Sequence, residues 1–414
     1  MNKKIFGITF LLIFLATLYL LLGYSGKVNN FVFKEIINPY NPLNSNKPKL
    51  AGVQGNNNEY WNDPRGLFPI FAYNLPDKSN DLIASLKIIE EGGINIIVNG
   101  NYSWMPSPYK VREAFEQLGE SKLKWLAIIE NECKDNFIYR NSNDDTNSDI
   151  KKYLSEFNDD FVYGWYVWDE PGNNRKLCTP LNLAPNDDNE DINRMSKQIR
   201  SDTTFNRKLD YMNLFPSYWD LTPDESSYEQ YIDTFINSQE FKPRILCFDH
   251  YPLLKEKFGG FRKDYYSNLK IIRKKSIEHN IPFWMIVLSS GHDDYGNPSF
   301  EDISFQVYSA LAYGAKGIGY YLYSKSWEKA SYSSWILENY VDEPDVADSL
   351  HGPLFLPVKR LNGNLQNLGK ILMKLKSVKV LHTSDYPNNQ NGISSLIFNE
   401  KEINGPMKNI KLAG

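Results

Sequence analysis

Residues 282–324 read PFWMIVLSSGHDDYGNPSFEDISFQVYSALAYGAKGIGYYLYS, and this stretch decides the architecture. It opens on an unbroken apolar run, PFWMIVLSS (282–290), and crosses a polar loop. An amphipathic helix follows over 300–313, and the stretch closes on a second apolar run, GIGYYLYS (317–324). Continuous runs rich in Ile, Val and aromatics mark strands buried on both faces, as parallel strands joined by helices are.

The same unit recurs upstream. Apolar runs stand at PIFAYN (69–74), INIIVNG (94–100), KWLAIIE (124–130), VYGWYVWDE (162–170), KLDYMNLFP (208–216) and RILCFDHYP (244–252). Helical patterns fill the gaps at 81–91, where Gly92-Gly93 ends the helix, and at 110–118, 150–157, 191–199, 228–236 and 265–279; another, at 364–374, follows the last run. Eight strand–helix units at a spacing of about 35 residues predict a (β/α)8 barrel, the TIM barrel of the α/β class, over 66–377. A doubly wound sheet would show fewer strands and a Gly-rich first turn. No GxGxxG follows the first run, and there is no Walker sequence.

The flanks read differently. Lys3 and Lys4 precede an uncharged apolar run over 5–23. Its length matches a bilayer core, whereas signal-peptide cores are shorter, about 7–15 residues. Residues 1–25 are therefore expected to be an uncleaved, membrane-spanning signal anchor or a cleaved signal peptide. Either way the chain is exported, to be anchored on the outer side of the membrane or secreted. Residues 26–65 include NPYNPLNSNKPK (38–49), an extended, solvated linker. Residues 378–414 form a short C-terminal extension that starts VKVLH, either the beginning of an accessory β element or a strand packed beneath the barrel.

Composition narrows the partners. The 414 residues carry 46 basic and 50 acidic side chains, a formal charge of −4. Nucleic-acid binding, which needs a concentrated basic face, is excluded as an expectation. The 9 Trp, 27 Tyr and 23 Phe supply a core and also rings on which sugar C–H faces stack. Cys133, Cys178 and Cys247 match no zinc spacing. Cys247 reads as a core residue, and Cys133 and Cys178 follow strands on one barrel face, where a disulfide is an option.

In a barrel of this kind the site lies where the strands end. Those ends offer Asn74, Asn99, Glu130, Asp169, Glu170, Asn213, Asp249, Tyr251, Ser289, His292, Tyr321 and Tyr323. Alternation along strand four sends neighbours to opposite sides, so one of Asp169 and Glu170 points into the mouth. Glu170 is the expected one, with Asp169 orienting a neighbour or binding a hydroxyl. Asp249 directly ends the apolar strand six, ahead of Pro252. Glycosidic cleavage takes two carboxyl groups, and Glu170 and Asp249 leave strands two apart around the mouth. Asn99, Glu130, Trp168, Asp169, Asn213, Tyr251, His292 and Tyr321 are the expected substrate contacts, with Trp61 and Trp104 as further stacking platforms. His292 has no second His at ligand spacing, so neither metal nor cofactor is expected.

GWYVWDEP (164–171), FDHYP (248–252), PFWMIVLSS (282–290) and SFQVYSALAYGAKGIGYYLYS (304–324) resemble the barrel domains of bacterial glycoside hydrolases of the β-galactosidase-like group, over roughly residues 66–376. The resemblance implies a carbohydrate substrate and an acid/base Glu ending strand four, which Glu170 matches, although Asp169 stands where Asn is usual. It also implies a nucleophilic Glu ending strand seven. That strand ends instead in Leu288-Ser289-Ser290, with no acid before Asp293 and Asp294. Asp249 is the substitute taken here, since α-galactosidase-like barrels pair acids of strands four and six; Glu130 and then Asp293 follow. The expected function is an exported glycoside hydrolase cleaving a polysaccharide or glycan. The missing strand-seven acid leaves a catalytically inactive carbohydrate-binding barrel as the alternative. A hydrolase for another substrate class lacks any G-x-S-x-G or H-E-x-x-H support.

Overall fold

The computed structural model describes residues 63–73, 75, 82–98, 106–128, 146–171, 188–218, 224–324, 335–337, 351–380, 395–398 and 401–404. Eight parallel strands close into a barrel in chain order, each hydrogen-bonded to the next and the first to the last. They are β1 (Ile70–Tyr73), β2 (Ile96–Val98), β3 (Lys124–Ile128), β4 (Val162–Asp169), β5 (Leu209–Leu214), β6 (Leu246–Asp249), β7 (Phe283–Leu288) and β8 (Ile318–Tyr321). Between and after them run α1 (Leu82–Glu91), α2 (Pro108–Leu118), α3 (Thr146–Glu156), α4 (Asp188–Ser201), α5 (Glu225–Ser238), α6 (Tyr265–His279), α7 (Phe300–Tyr313) and α8 (Phe355–Leu372). The barrel lies within the compact unit Tyr60–Val378.

Helix ends follow local chemistry. Ser299 and Asp302 form a capping box that starts α7, and Gly314, at φ 104°, accepts the left-handed turn that ends it. Gln306 of α7 is fully buried, and its amide bonds both the N–H and the carbonyl of Leu288, which fixes where β7 stops. The last helix begins nine residues before the expected 364: Leu354 gives no side-chain cap, and Pro357 sits in the first turn, where a missing N–H costs nothing.

Inward-facing Phe71, Ile96, Val98, Leu126, Tyr166, Leu209, Tyr211, Cys247, Trp284 and Ile286 fill the barrel. Trp284 and Phe71 are the bulk of the middle layer, 5.4 Å apart between ring centroids, and Gly319 leaves room for the Phe71 ring. Gly164 lies so close to β5 that a Cβ there would stand 2.0 Å from the Leu209 carbonyl oxygen. The opposite end is closed by Arg65, which pairs with buried Asp63 at 2.6 Å and donates to the carbonyls of Asn95 and Lys122; the Tyr163 hydroxyl donates to Asp63.

Among the described residues no helix is long and apolar enough to cross a membrane, and the apolar run 5–23 lies outside them. Residues 376–380 take no regular structure, and Val378 is 88% exposed. In the other compact unit, β9 (Ser395–Phe398) and β10 (Lys401–Asn404) pair antiparallel as a hairpin.

Candidate active site

The site grows from a register irregularity in β4. Tyr166 pairs with Tyr211 and Trp168 pairs with Met212, so Val167 is the unmatched residue. Such bulges turn a strand's faces over, and they recur beside active sites. Downstream of it Asp169 pairs with Asn213 and shares its inward register, whereas Trp168 pairs with Met212 on the outward one. Trp168 is 5% exposed and faces the helix layer, so its expected role as a sugar platform is corrected. Asp169, half-buried, takes the inward position expected for Glu170, because alternation counted without the extra residue gives the wrong parity.

Asn213 organises the acids. Its amide nitrogen donates to Asp169 Oδ1 at 3.2 Å and to Asp249 Oδ1 at 2.9 Å. Both oxygens lie on one nitrogen, so their separation is at most the two bonds end to end, about 6 Å. Asn213 and Asp249 are each 5% exposed. Glu170 follows directly: its N–H donates to the Asn213 carbonyl at 2.7 Å, and its backbone then turns into the left-handed region at φ 48°. A non-Gly residue there costs about 1 kcal/mol or more and is a feature that clusters at functional positions.

Tyrosines make the floor. Tyr73 and Tyr211 share a 2.6 Å hydroxyl hydrogen bond, Tyr211 contacts the Cys247 sulfur at 3.1 Å, and Tyr166 lies edge-on to both rings. Burial holds the Cys247 thiol far above its ordinary range, so it stays protonated and serves as packing, as expected for that residue. One wall is aromatic. Tyr251 and Tyr321 stack at 5.5 Å and 17°, with His292 and Tyr295 against them. Burial, then the Asp249 charge, pushes the Tyr251 hydroxyl well above its ordinary pKa, so it is a neutral donor.

The strand-seven end is structural. Ser289 is fully buried, donating its hydroxyl to the Leu322 carbonyl and its N–H to Tyr321. Ser290 offers its carbonyl to His292 Nδ1 at 3.1 Å. Asp293 is exposed, at φ 40°, and its backbone carbonyl accepts from Lys255. Asn74, Asn99, Glu130, Trp61, Trp104, Cys133 and Cys178 lie outside the described residues. Among those described, Asp233, Glu278 and His279 have metal-ligand proximity, but they sit on α5 and α6, and the Lys275 ammonium already stands 2.6 Å from Asp233 and 3.2 Å from Glu278.

Three contributors escaped the sequence reading. Tyr73, Tyr218 and Tyr295 each follow or end a strand, a signal as good as that of Tyr251. Behind them His250, fully buried, bonds Asp264 at 3.2 Å, and Asp264 also accepts the Ser217 hydroxyl at 2.8 Å. This contact ties the loops after β5 and β6 to the start of α6. Burial lowers the His250 pKa below 6.5, so it is neutral at pH 7. A depressed folded value means that the unfolded chain binds the proton first, so stability is retained above about pH 6.5 and declines as pH falls toward the folded value. Thermal melts from pH 7.5 to about 5 are expected to show that decline, and His250→Gln should flatten it. An unchanged slope in the variant would count against the assignment.

Scans against protein family models and searches of curated proteins find no match to this sequence. Among solved structures the chain is similar to a β-galactosidase of Bacillus circulans sp. alkalophilus, at 10% identity over 74% of this chain and 57% of that one, with a TM-score of 0.50. It is also similar to the exo-β-1,4-mannosidase Op5Man5 of an Opitutaceae bacterium, at 11% identity over 75% and 62% of the two chains, TM-score 0.49. A Faecalibacterium prausnitzii β-glucuronidase matches at 9% identity over 72% and 49%, TM-score 0.43. The chain thus spans less than two thirds of each of these proteins. At such identities the likeness is one of fold: a (β/α)8 barrel of the kind that glycoside hydrolases use.

Proposed function

We propose that the protein is a glycoside hydrolase working in the open mouth of its barrel, with Glu170 as general acid and Asp249 as the second carboxylate. The observation that carries this reading is the Asp169–Asn213–Asp249 cluster, set over a tyrosine floor and beside the Tyr251–Tyr321 stack. The Asn213 amide N–H donates to Asp249 and holds its carboxylate in place, as a nucleophile or base requires. Glu170, one residue beyond the inward Asp169 and turned out of the strand's alternation by its left-handed backbone, is taken as the proton donor to the leaving oxygen. Asp169, on the same amide, fixes Asn213 and through it Asp249. Tyr251, Tyr321 and His292 present ring faces and polar edges to a sugar, with Asn99 and Glu130 as further contacts in the proposal. We also infer that the chain acts outside the membrane, its 5–23 run serving as signal or anchor.

The test is turnover. Aryl glycosides and a panel of plant, algal and microbial polysaccharides should include at least one substrate that is cleaved. Proton NMR of the first product then reads its anomer. Carboxyl groups about 5–5.5 Å apart give retention, and about 6.5–9.5 Å gives inversion.

The second reading, a barrel that binds sugar and does not cleave it, is favoured by one observation: the strand-seven end holds two buried serines engaged in backbone hydrogen bonds where the resembling enzymes place an acid. Saturable binding of a glycan that survives incubation unchanged would select it.

A further inference from the structure

The aromatic wall holds a cation for which the proposed cleavage has no use. Between β6 and α6 runs a strap, LLKEKFGGFRK (253–263), with Lys255, Lys257, Arg262 and Lys263 against one acid, Glu256. The strap folds on itself and onto the loop after β7. Leu253 bridges Phe261, Leu254 bridges Tyr295, and Gly259 and Gly260 take the turn at φ 102° and 73°. The Arg262 N–H donates to the Pro252 carbonyl at 2.8 Å, which seats the side chain.

That side chain lies flat on the site's own rings. Its guanidinium carbon is 3.6 Å from the Tyr218 centroid and 5.7 Å from that of Tyr295. The hydroxyls of Tyr218 and Tyr295 share a 3.1 Å hydrogen bond, and Tyr295 packs on Tyr251 and His292 at 5.3 and 4.8 Å. Asp249 is near enough to raise the hydroxyls of both Tyr218 and Tyr295, after the larger effect of burial. Arg262 therefore borders the aromatic wall across the Tyr218–Tyr295 pair and is itself half-buried.

Among the described residues tyrosines, and no carboxylate, answer its charge. Arg65, Arg112, Arg200 and Arg244 each lie within 4 Å of a carboxylate. Among the described residues no carboxylate stands within that distance of Arg262, and its Nε, shut off from solvent, has no hydrogen-bond partner. A guanidinium donor buried without an acceptor is costly, and its fork geometry fits a planar or tetrahedral oxyanion.

We propose that Arg262 seats the acid group of an anionic sugar, a uronate carboxylate or a sulfate ester, making the substrate of this mouth an acidic glycan. The proposal rests on the reading of the mouth as a sugar site. The basic strap around Arg262 supplies longer-range attraction on a chain that is otherwise slightly acidic. Arg262 is a specificity-determining residue here and takes no part in bond cleavage.

The experiment reads binding apart from cleavage. Full-length protein carrying Glu170→Gln is titrated calorimetrically with galacturonate, sulfated galactose and neutral galactose oligosaccharides of equal length. At least one acidic ligand should bind about tenfold or more tighter than the neutral one, with a preference that shrinks as salt rises. The two acidic arms tell carboxylate from sulfate. Arg262→Ala should abolish the preference, and Arg262→Lys should restore part of it. Absence of acidic binding, equal binding of all three, or a preference surviving Arg262→Ala in a folded protein overturns the proposal. If Arg262→Ala does not fold, Arg262→Lys and the salt series decide: a preference indifferent to both overturns it. A native protein that shows the acidic preference and cleaves nothing leaves Arg262 in place and removes the hydrolase reading alone.

Discussion

Glu170→Gln and Asp249→Asn are each expected to cut kcat by about a thousandfold or more while the chain stays folded. Both substitutions keep shape and remove the ability to exchange a proton or carry charge. Proton transfer from a positioned acid is worth roughly 10²–10⁴ in rate. The two should respond differently to the leaving group. With Glu170→Gln, an activated aryl glycoside that needs no proton should recover much of its rate, and a natural glycan should not. With Asp249→Asn, neither should recover. Asp169→Asn keeps a side chain of the same shape beside Asn213, and a smaller loss is expected there. Should Asp169→Asn abolish turnover while Glu170→Gln leaves it intact, the inward register of Asp169 would decide, and the Asp169–Asp249 pair, within about 6 Å, would take over both roles. Rates on paired substrates across the three variants make that comparison.

The second large effect concerns stability. Gly164→Ala is expected to cost about 3 kcal/mol or more, enough to threaten soluble expression. The added Cβ would meet the Leu209 carbonyl oxygen at 2.0 Å and the Leu209 nitrogen at 2.6 Å. Both are backbone atoms of the adjoining strand and cannot rotate aside, so β4 and β5 would have to part. Gly363→Ala is the matched control. It lies within α8 with nothing within 4 Å of its Cβ, and Ala there should add up to about 1 kcal/mol. Denaturant melts of the two variants give opposite signs if this account of the packing is right; a Gly164→Ala midpoint equal to the parent's would refute it.

The parts legible in sequence are those whose cause is local. Continuous apolar runs gave strands, and the amphipathic pattern over 300–313 gave α7. Asn213 and Asp249 were visible as polar residues ending buried strands. What was hidden depends on neighbours far along the chain. The start of α8 has no capping side chain to announce it. The outward turn of Trp168 is set by pairing with β5, which no reading of 162–169 alone contains. Arg262 reads as one more loop cation until the strap's bridges bring it over Tyr218.

Val167 has a consequence for how such sites change over time. Because one surplus residue fixes which of Trp168 and Asp169 looks inward, the chemistry of the mouth is controlled by a count as much as by residue identity. Deleting Val167 would leave Trp168 opposite Met212 and Asp169 opposite Asn213 in a straight ladder, whereas keeping Val167 and losing the skip would bring the indole inward in place of the acid.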